Sequence, residues 1–123
     1  MSLFLIDTTP VLAGFKVVHT NFIISNPDGS GVAGGQIGSA RNSDNETEAI
    51  ACTVWTSGGG SAATCSVTDR AGTSRSCFTV TAQYIELLGS LTDDTFIMFE
   101  WDQQGWCTFL MVGADSAMMP KAP

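Results

Sequence analysis

Short apolar runs alternate with turn-forming residues along most of this chain. The runs are rich in β-branched and aromatic side chains, which suit a pleated surface, and Gly, Pro, Asn and Asp separate them. This pattern predicts strands within 14–25, 32–40, 47–56, 61–69, 73–82, 95–101 and 106–112. A further strand is expected near the N-terminus.

One stretch, 82–88, predicts a short helix instead, with Thr81 as its N-cap and Gly89 ending it in the left-handed conformation. About seven or eight short strands with turns every ~8–12 residues predict an all-β fold, an antiparallel sandwich or a small barrel. No linker divides the chain, so residues 1–123 are expected to form a single β domain.

Composition narrows the classes of function. Hydrophobic residues make up 44% of the chain and charged residues 14%, with five Lys and Arg and a net charge of −7. A chain with so few cations lacks the basic face that a nucleic-acid partner requires. No apolar run reaches the roughly 18 residues of a membrane span, and the glycine-rich stretches match no phosphate or dinucleotide loop, so no cofactor is predicted.

The four cysteines, Cys52, Cys65, Cys77 and Cys107, predict two disulfides, since no two of them form the tight pair typical of zinc sites. Disulfides would place the protein in an oxidising compartment: extracellular, periplasmic, or at a cell or virion surface. The alternatives are a zinc site of four thiolates and four buried free thiols in a cytosolic protein.

Turn positions align three of these cysteines. A hairpin folded about Gly58-Gly59 places Cys52 opposite Cys65, and a second hairpin folded about Ala71 places Cys65 opposite Cys77. Sequence leaves three connectivities open. We favour Cys65–Cys77 with Cys52–Cys107, because the second bond would then join distant strands.

A turn flanked by tryptophans is the strongest candidate for a binding site. The segment Trp101-Asp102-Gln103-Gln104-Gly105-Trp106 closes the predicted hairpin, and folding about Gln103-Gln104 would oppose the two indoles directly. Trp55 precedes the glycine-rich turn. Flat aromatic rings stack on sugars or on apolar protein surfaces, while Asp and Gln bind hydroxyl groups. The structural alternative is an ordinary aromatic cross-strand pair.

Catalytic chemistry finds less support. The single histidine, His19, lies in a predicted strand with no nucleophile at a suitable spacing. Glu100 with Asp102 or Asp93 could form an acid–base pair, although Glu100 beside a turn is more typical of an exposed carboxylate. The polar loop 42–46 has calcium-ligand residue types in the wrong order.

The N-terminal residues Leu3, Phe4, Leu5 and Ile6 predict a strand of the mature protein, since Asp7 and Pro10 interrupt the run. Such a strand could add to a sheet of its own molecule or to one of another copy. The first hypothesis is therefore a non-catalytic extracytoplasmic module that binds a glycan or protein surface. The alternative is a self-assembling subunit of a fibre, pilus or virion, and a small hydrolase comes third.

Overall fold

A computed structural model of the protein describes residues 20–41, 43–92 and 95–113. The described chain is mostly β, in two antiparallel sheets, so the predicted all-β class is confirmed. The elements are β1 (Phe22–Ser25), β2 (Gly31–Gln36), α1 (Ile37–Arg41), β3 (Ala49–Ser57), β4 (Gly60–Thr68), β5 (Ser74–Thr79), α2 (Ala82–Leu88), β6 (Phe96–Trp101) and β7 (Cys107–Gly113).

The first sheet has four strands in the order β1-β2-β6-β7, and the second has the order β3-β4-β5. Neighbours along the chain form hairpins about the predicted turns. At the first turn the Gly29 N–H donates to the Asn26 carbonyl at 3.1 Å, and Gly29 has a φ of 97°. Among the strands that the structure describes, only the β2–β6 pairing joins two that are far apart in sequence.

The inner faces of the two sheets share one core. Alternate side chains of each strand point inward, and the buried apolar set draws on both sheets and on α2. Its members are Ala33, Ala63, Cys65, Val67, Cys77, Leu88, Ile97, Phe99, Trp101 and Leu110. Because both sheets contribute to this core, their opposite faces point away from it.

Two disulfides form, as predicted, and they indicate an oxidising environment. Their pairing is Cys52–Cys65 and Cys77–Cys107, so the pairing favoured from sequence is wrong. The predicted register is correct, since Cys65 stands opposite both Cys52 and Cys77. The register alone gives Cys65 two equally placed partners. Because β5 approaches the start of β7, Cys77 bonds to Cys107, and Cys65 bonds to Cys52.

Three local expectations near the helices need correction. The strand expected over 32–40 ends at Gln36, whose Oε1 accepts from the Ser39 N–H and hydroxyl, both at 2.6 Å, and α1 follows. The helix α2 matches its predicted range, but Gly89 is right-handed with a φ of −67°. The Thr81 side chain makes no capping hydrogen bond.

In the described ranges no helix is long and apolar enough to cross a membrane. The predicted strand Leu3–Ile6, as well as His19 and Asp93, lies outside the residues that the structure describes. The single domain over 1–123 stays a prediction.

Candidate functional site

The outer face of the three-stranded sheet carries small hydroxyl side chains. Residues directly opposite each other on neighbouring strands share a face, and the buried Cys65 and Cys77 define the inner one. The alternate positions therefore point outward: Thr53 on β3, Thr64, Ser66 and Thr68 on β4, and Ser74 and Ser76 on β5. We call this set the hydroxyl face.

Three aromatic rings meet at one end of this face. Phe78 on β5 lies 6.1 Å from Trp55 on β3 and 5.2 Å from Trp106, between ring centroids. Ala62 separates Trp55 from β5 within the sheet, and its small side chain leaves room above the central strand. We call Trp55, Phe78 and Trp106 the aromatic cluster.

The aromatic cluster presents a curved apolar surface. Its rings are tilted by 44° and 59° to one another, and the two tryptophans remain 43% and 46% exposed. Among the described residues, neither indole N–H of Trp55 or Trp106 has a hydrogen-bond acceptor. Each indole therefore offers both an apolar ring face and a polar donor to a ligand.

The cluster draws on both sheets, and a covalent bond fixes this junction. The Phe78 N–H donates to the Gly105 carbonyl at 2.9 Å, and Phe78 forms a parallel bridge with Trp106. The disulfide joins Cys77 to Cys107, the immediate neighbours of these two aromatic residues. The backbone that carries the two rings is therefore held from both sides.

A cleft of about 580 Å³ lies beside the aromatic cluster: none of the three rings lines it, but Gly105, next to Trp106, and Ser76, two residues from Phe78, do. We call it the turn cleft, because the β6–β7 turn forms one of its walls. Its lining residues are Gly29, Ser66, Thr68, Ser74, Arg75, Ser76, Trp101, Asp102, Gln103, Gln104 and Gly105. Hydroxyl, amide and guanidinium groups thus line one shallow, open cleft, where they can form hydrogen bonds with a polar ligand.

Asp102 shapes the turn that forms this wall. Its Oδ1 accepts from the Gln104 N–H at 2.9 Å and from the Trp106 N–H at 3.0 Å. Gln103 and Gln104 are exposed at the tip of the turn. Asp102 is therefore a positioning residue, and the two glutamines are the accessible amide groups of the predicted segment.

Trp101 differs most from its expected placement. It stands opposite Cys107, so the prediction that Trp101 directly opposes Trp106 is wrong. The turn has three residues rather than two, since the Asp102 N–H donates to the Trp106 carbonyl at 3.0 Å and Gly105 has a φ of 90°. Its indole is 6% exposed, and Nε1–H donates to the Gly29 carbonyl at 2.9 Å. Trp101 is consequently a core residue that ties the β6 end to the β1–β2 turn.

Several charged groups outside the turn cleft serve local structure. Arg70 forms ion pairs with Asp44 at 3.0 Å and with the buried Glu48 at 3.4 Å. Asp44 belongs to the loop 42–46 that was considered for calcium, so one of that loop's carboxylates is already paired with a cation. Within the described part of the chain, no three His, Cys, Asp or Glu residues are grouped to hold a metal ion. Hydrogen bonds from the Ser30 hydroxyl and N–H hold the pKa of Asp28 below its ordinary value.

The sequence-predicted residues divide into two groups. Trp55, Trp106, Gln103 and Gln104 reach the surface at or beside the cleft, whereas Trp101 is buried and Asp102 supports the turn. Sequence analysis missed Phe78 and the serines of β5. The alignment of the cysteines could have indicated them, because placing Cys65 opposite Cys77 also places Phe78 opposite Thr64 on the other face of the sheet.

In comparisons with known proteins, no protein-family model, curated protein or solved structure matches this chain.

Proposed function

We propose that this protein is a non-catalytic extracytoplasmic module that binds a glycan on the outer face of its three-stranded sheet. The observation that supports it best is that two half-exposed indoles lie beside a cleft lined by hydroxyl and amide groups. A sugar presents apolar C–H faces beside hydroxyl groups, and this surface offers partners for both.

The aromatic cluster supplies the stacking surface. Trp55 and Trp106 flank Phe78, so the three rings can follow a ligand longer than one sugar unit. The indoles are 43% and 46% exposed, and binding would remove apolar ring area from water at roughly 25 cal/mol per Å². This term supplies affinity with little selectivity, because every sugar has an apolar face.

The turn cleft supplies the polar contacts. Gln103 and Gln104 each offer an amide donor and an acceptor, and Ser76 places a hydroxyl two residues from Phe78 on the same face. Polar contacts discriminate between ligands, because a buried hydroxyl that finds no partner costs about 1–3 kcal/mol. We assign selectivity among glycans to this cleft.

A location outside the cytoplasm is part of the proposal. Two disulfides persist in oxidising compartments and are rare in cytosolic proteins. Extracellular and periplasmic spaces, and cell or virion surfaces, are the places where a glycan-binding module meets its ligand.

The proposal is tested by measuring how strongly the native protein and three variants are retained on a panel of immobilised glycans. Trp55→Ala and Trp106→Ala remove cluster rings, and Phe109→Ala is the matched control, an aromatic residue 40% exposed on the other sheet. We expect each cluster variant to weaken binding about 30-fold, from a hot-spot contribution of about 2 kcal/mol. The control should bind as the native protein does, and the two cluster variants should melt at temperatures similar to that of the native protein.

Two results would contradict the proposal. One is the absence of retention on every glycan tested. The other is a retained glycan whose affinity stays the same in Trp106→Ala. If no glycan binds while a protein partner is lost only in the cluster variants, the aromatic cluster is a protein-binding site, the alternative ligand class.

A further inference from the structure

The outer face of the four-stranded sheet is apolar over most of its area. Its cross-strand rows run Phe22–Gly34–Met98–Met111 and Ile24–Val32–Glu100–Phe109, with Phe96 in a third row. Ile24, Phe109 and Met111 are 58%, 40% and 38% exposed. We call these residues the apolar face.

Such a face lies on the side of the molecule opposite the aromatic cluster. The core separates the two, because both sheets direct their inner residues toward it. Exposed apolar patches of more than a few hundred Å² are rare on proteins that act alone, and they mark contacts with another segment or chain. We therefore expect another segment or chain to cover this face.

The chain before β1 starts at the edge of this same sheet. Asn21 fixes the point of departure: its N–H donates to Glu48 at 2.8 Å, and its Nδ2 donates to the carbonyls of Ala49 and Thr68 at 3.0 and 2.9 Å. β1 follows at once and lies at one edge of the sheet that the described strands form. Residues 1–19, which lie outside the described ranges, are thus tethered within reach of the apolar face.

We propose that residues 3–18 of the same molecule cover the apolar face. This segment has the composition for it, with Leu3, Phe4, Leu5, Ile6, Val11, Leu12, Phe15, Val17 and Val18. Extended, it would span roughly 50 Å at about 3.3 Å per residue. Four strands spaced about 4.8 Å apart are only roughly 15–20 Å wide.

Charge and tethering favour the molecule's own segment. Glu100 is the one charged residue in the rows that form the apolar face, and Lys16 is the one Lys or Arg among residues 1–19. A short tether also gives the segment an effective concentration of about millimolar, so it outcompetes a second copy at micromolar protein.

Spin labels on the full chain test this inference. All four native cysteines are in disulfides, so Ser2→Cys or Thr9→Cys provides a single thiol for a nitroxide label. We expect the amide signals of Ile24, Met98 and Met111 to lose intensity in both labelled proteins. The signals of Thr53 and Ser76, on the hydroxyl face, should keep theirs.

A mixed sample separates one molecule from two. Isotope-labelled native protein is combined with spin-labelled, isotope-free protein, and no loss is expected there. Loss of the apolar-face signals in the mixed sample as well would overturn the proposal in favour of a second copy, the self-assembly alternative for Leu3–Ile6. Equal loss on both faces, or none on the apolar face, would overturn it outright.

A second measurement avoids the label. Leu5→Asp should increase the binding of an apolar dye in the full chain, because it weakens the cover, whereas the matched variant Thr8→Asp should not. Equal dye binding by both variants would contradict the proposal. The glycan test reads the opposite surface, so either proposal can fail while the other stands.

Discussion

Removal of the Cys77–Cys107 disulfide tests whether this bond positions the aromatic cluster. The change is the double substitution Cys77→Ala with Cys107→Ala. The matched control is Cys52→Ala with Cys65→Ala, which removes a bond between two adjacent, hydrogen-bonded strands of one sheet. Cys77 and Cys65 are both 2% exposed, so the two variants leave comparable packing defects at those positions.

The two bonds close loops of different length. Their sequence separations are 30 and 13 residues. Loop-closure entropy then gives about 3.6 kcal/mol of stabilisation for Cys77–Cys107 and about 2.9 kcal/mol for Cys52–Cys65 at 25 °C. The expected difference in the free energy of unfolding is only about 0.7 kcal/mol, so stability alone separates the variants poorly.

The indole N–H signals in a two-dimensional nitrogen–proton spectrum give the decisive readout. Three tryptophans give three signals, and the buried Trp101, bonded to Gly29, is an internal reference. We expect the Trp106 signal to shift or broaden in the Cys77/Cys107 variant and to stay in place in the control. Urea unfolding of both variants gives the two free energies in parallel.

Equal disturbance of Trp106 in the two variants would refute the reasoning, because it would make the cluster sensitive to general loss of stability. An undisturbed Trp106 in the Cys77/Cys107 variant would refute it as well. The hydrogen bond from the Phe78 N–H to Gly105 would then be sufficient to hold the rings.

Three further outcomes follow from the fold. Phe99→Ala should lower the free energy of unfolding by about 3–5 kcal/mol in urea titration, because Phe99 is 0% exposed. Gly31→Ala should lower the free energy of unfolding by about 1–3 kcal/mol, since a Cβ there meets an indole and a backbone carbonyl. Gly58 has open space around it, so Gly58→Ala should change the free energy of unfolding by no more than about 0.5 kcal/mol in the same measurement. Above the ordinary pKa of Asp, the Asp28→Asn variant should be less stable than the native protein. This difference in stability should disappear as the pH falls through the lowered pKa of Asp28, and melting temperatures recorded against pH measure it.

Hairpin connections made much of this fold predictable from sequence. Turns at 26–29, 58–59 and 69–72 fix the register of the strands on either side, because a short loop leaves few alternatives. The opposition of Cys65 to both Cys52 and Cys77 follows from those turns alone. Local chemistry determined these features, so local reasoning recovered them.

Other features depend on contacts that the sequence does not display. The β2–β6 pairing and the Cys77–Cys107 bond require knowledge of which sheet edges approach one another. A three-residue turn, rather than a two-residue turn at Gln103-Gln104, sets the partner of Trp101. Gly105 has the left-handed φ of 90° that the longer turn needs, but a glycine after Gln103-Gln104 is compatible with either turn length.

The two disulfides contribute differently to the proposed site. Cys52–Cys65 lies within a hairpin that backbone hydrogen bonds already align, whereas Cys77–Cys107 connects the two sheets. The aromatic cluster crosses that same junction, with Trp55 and Phe78 on one sheet and Trp106 at the start of a strand of the other. Ordering a large side chain on binding costs about 0.5–1.5 kcal/mol, and a junction held before the ligand arrives reduces this cost. A covalent link beside Phe78 and Trp106 therefore stabilises the one part of the site that a single sheet could not hold rigid.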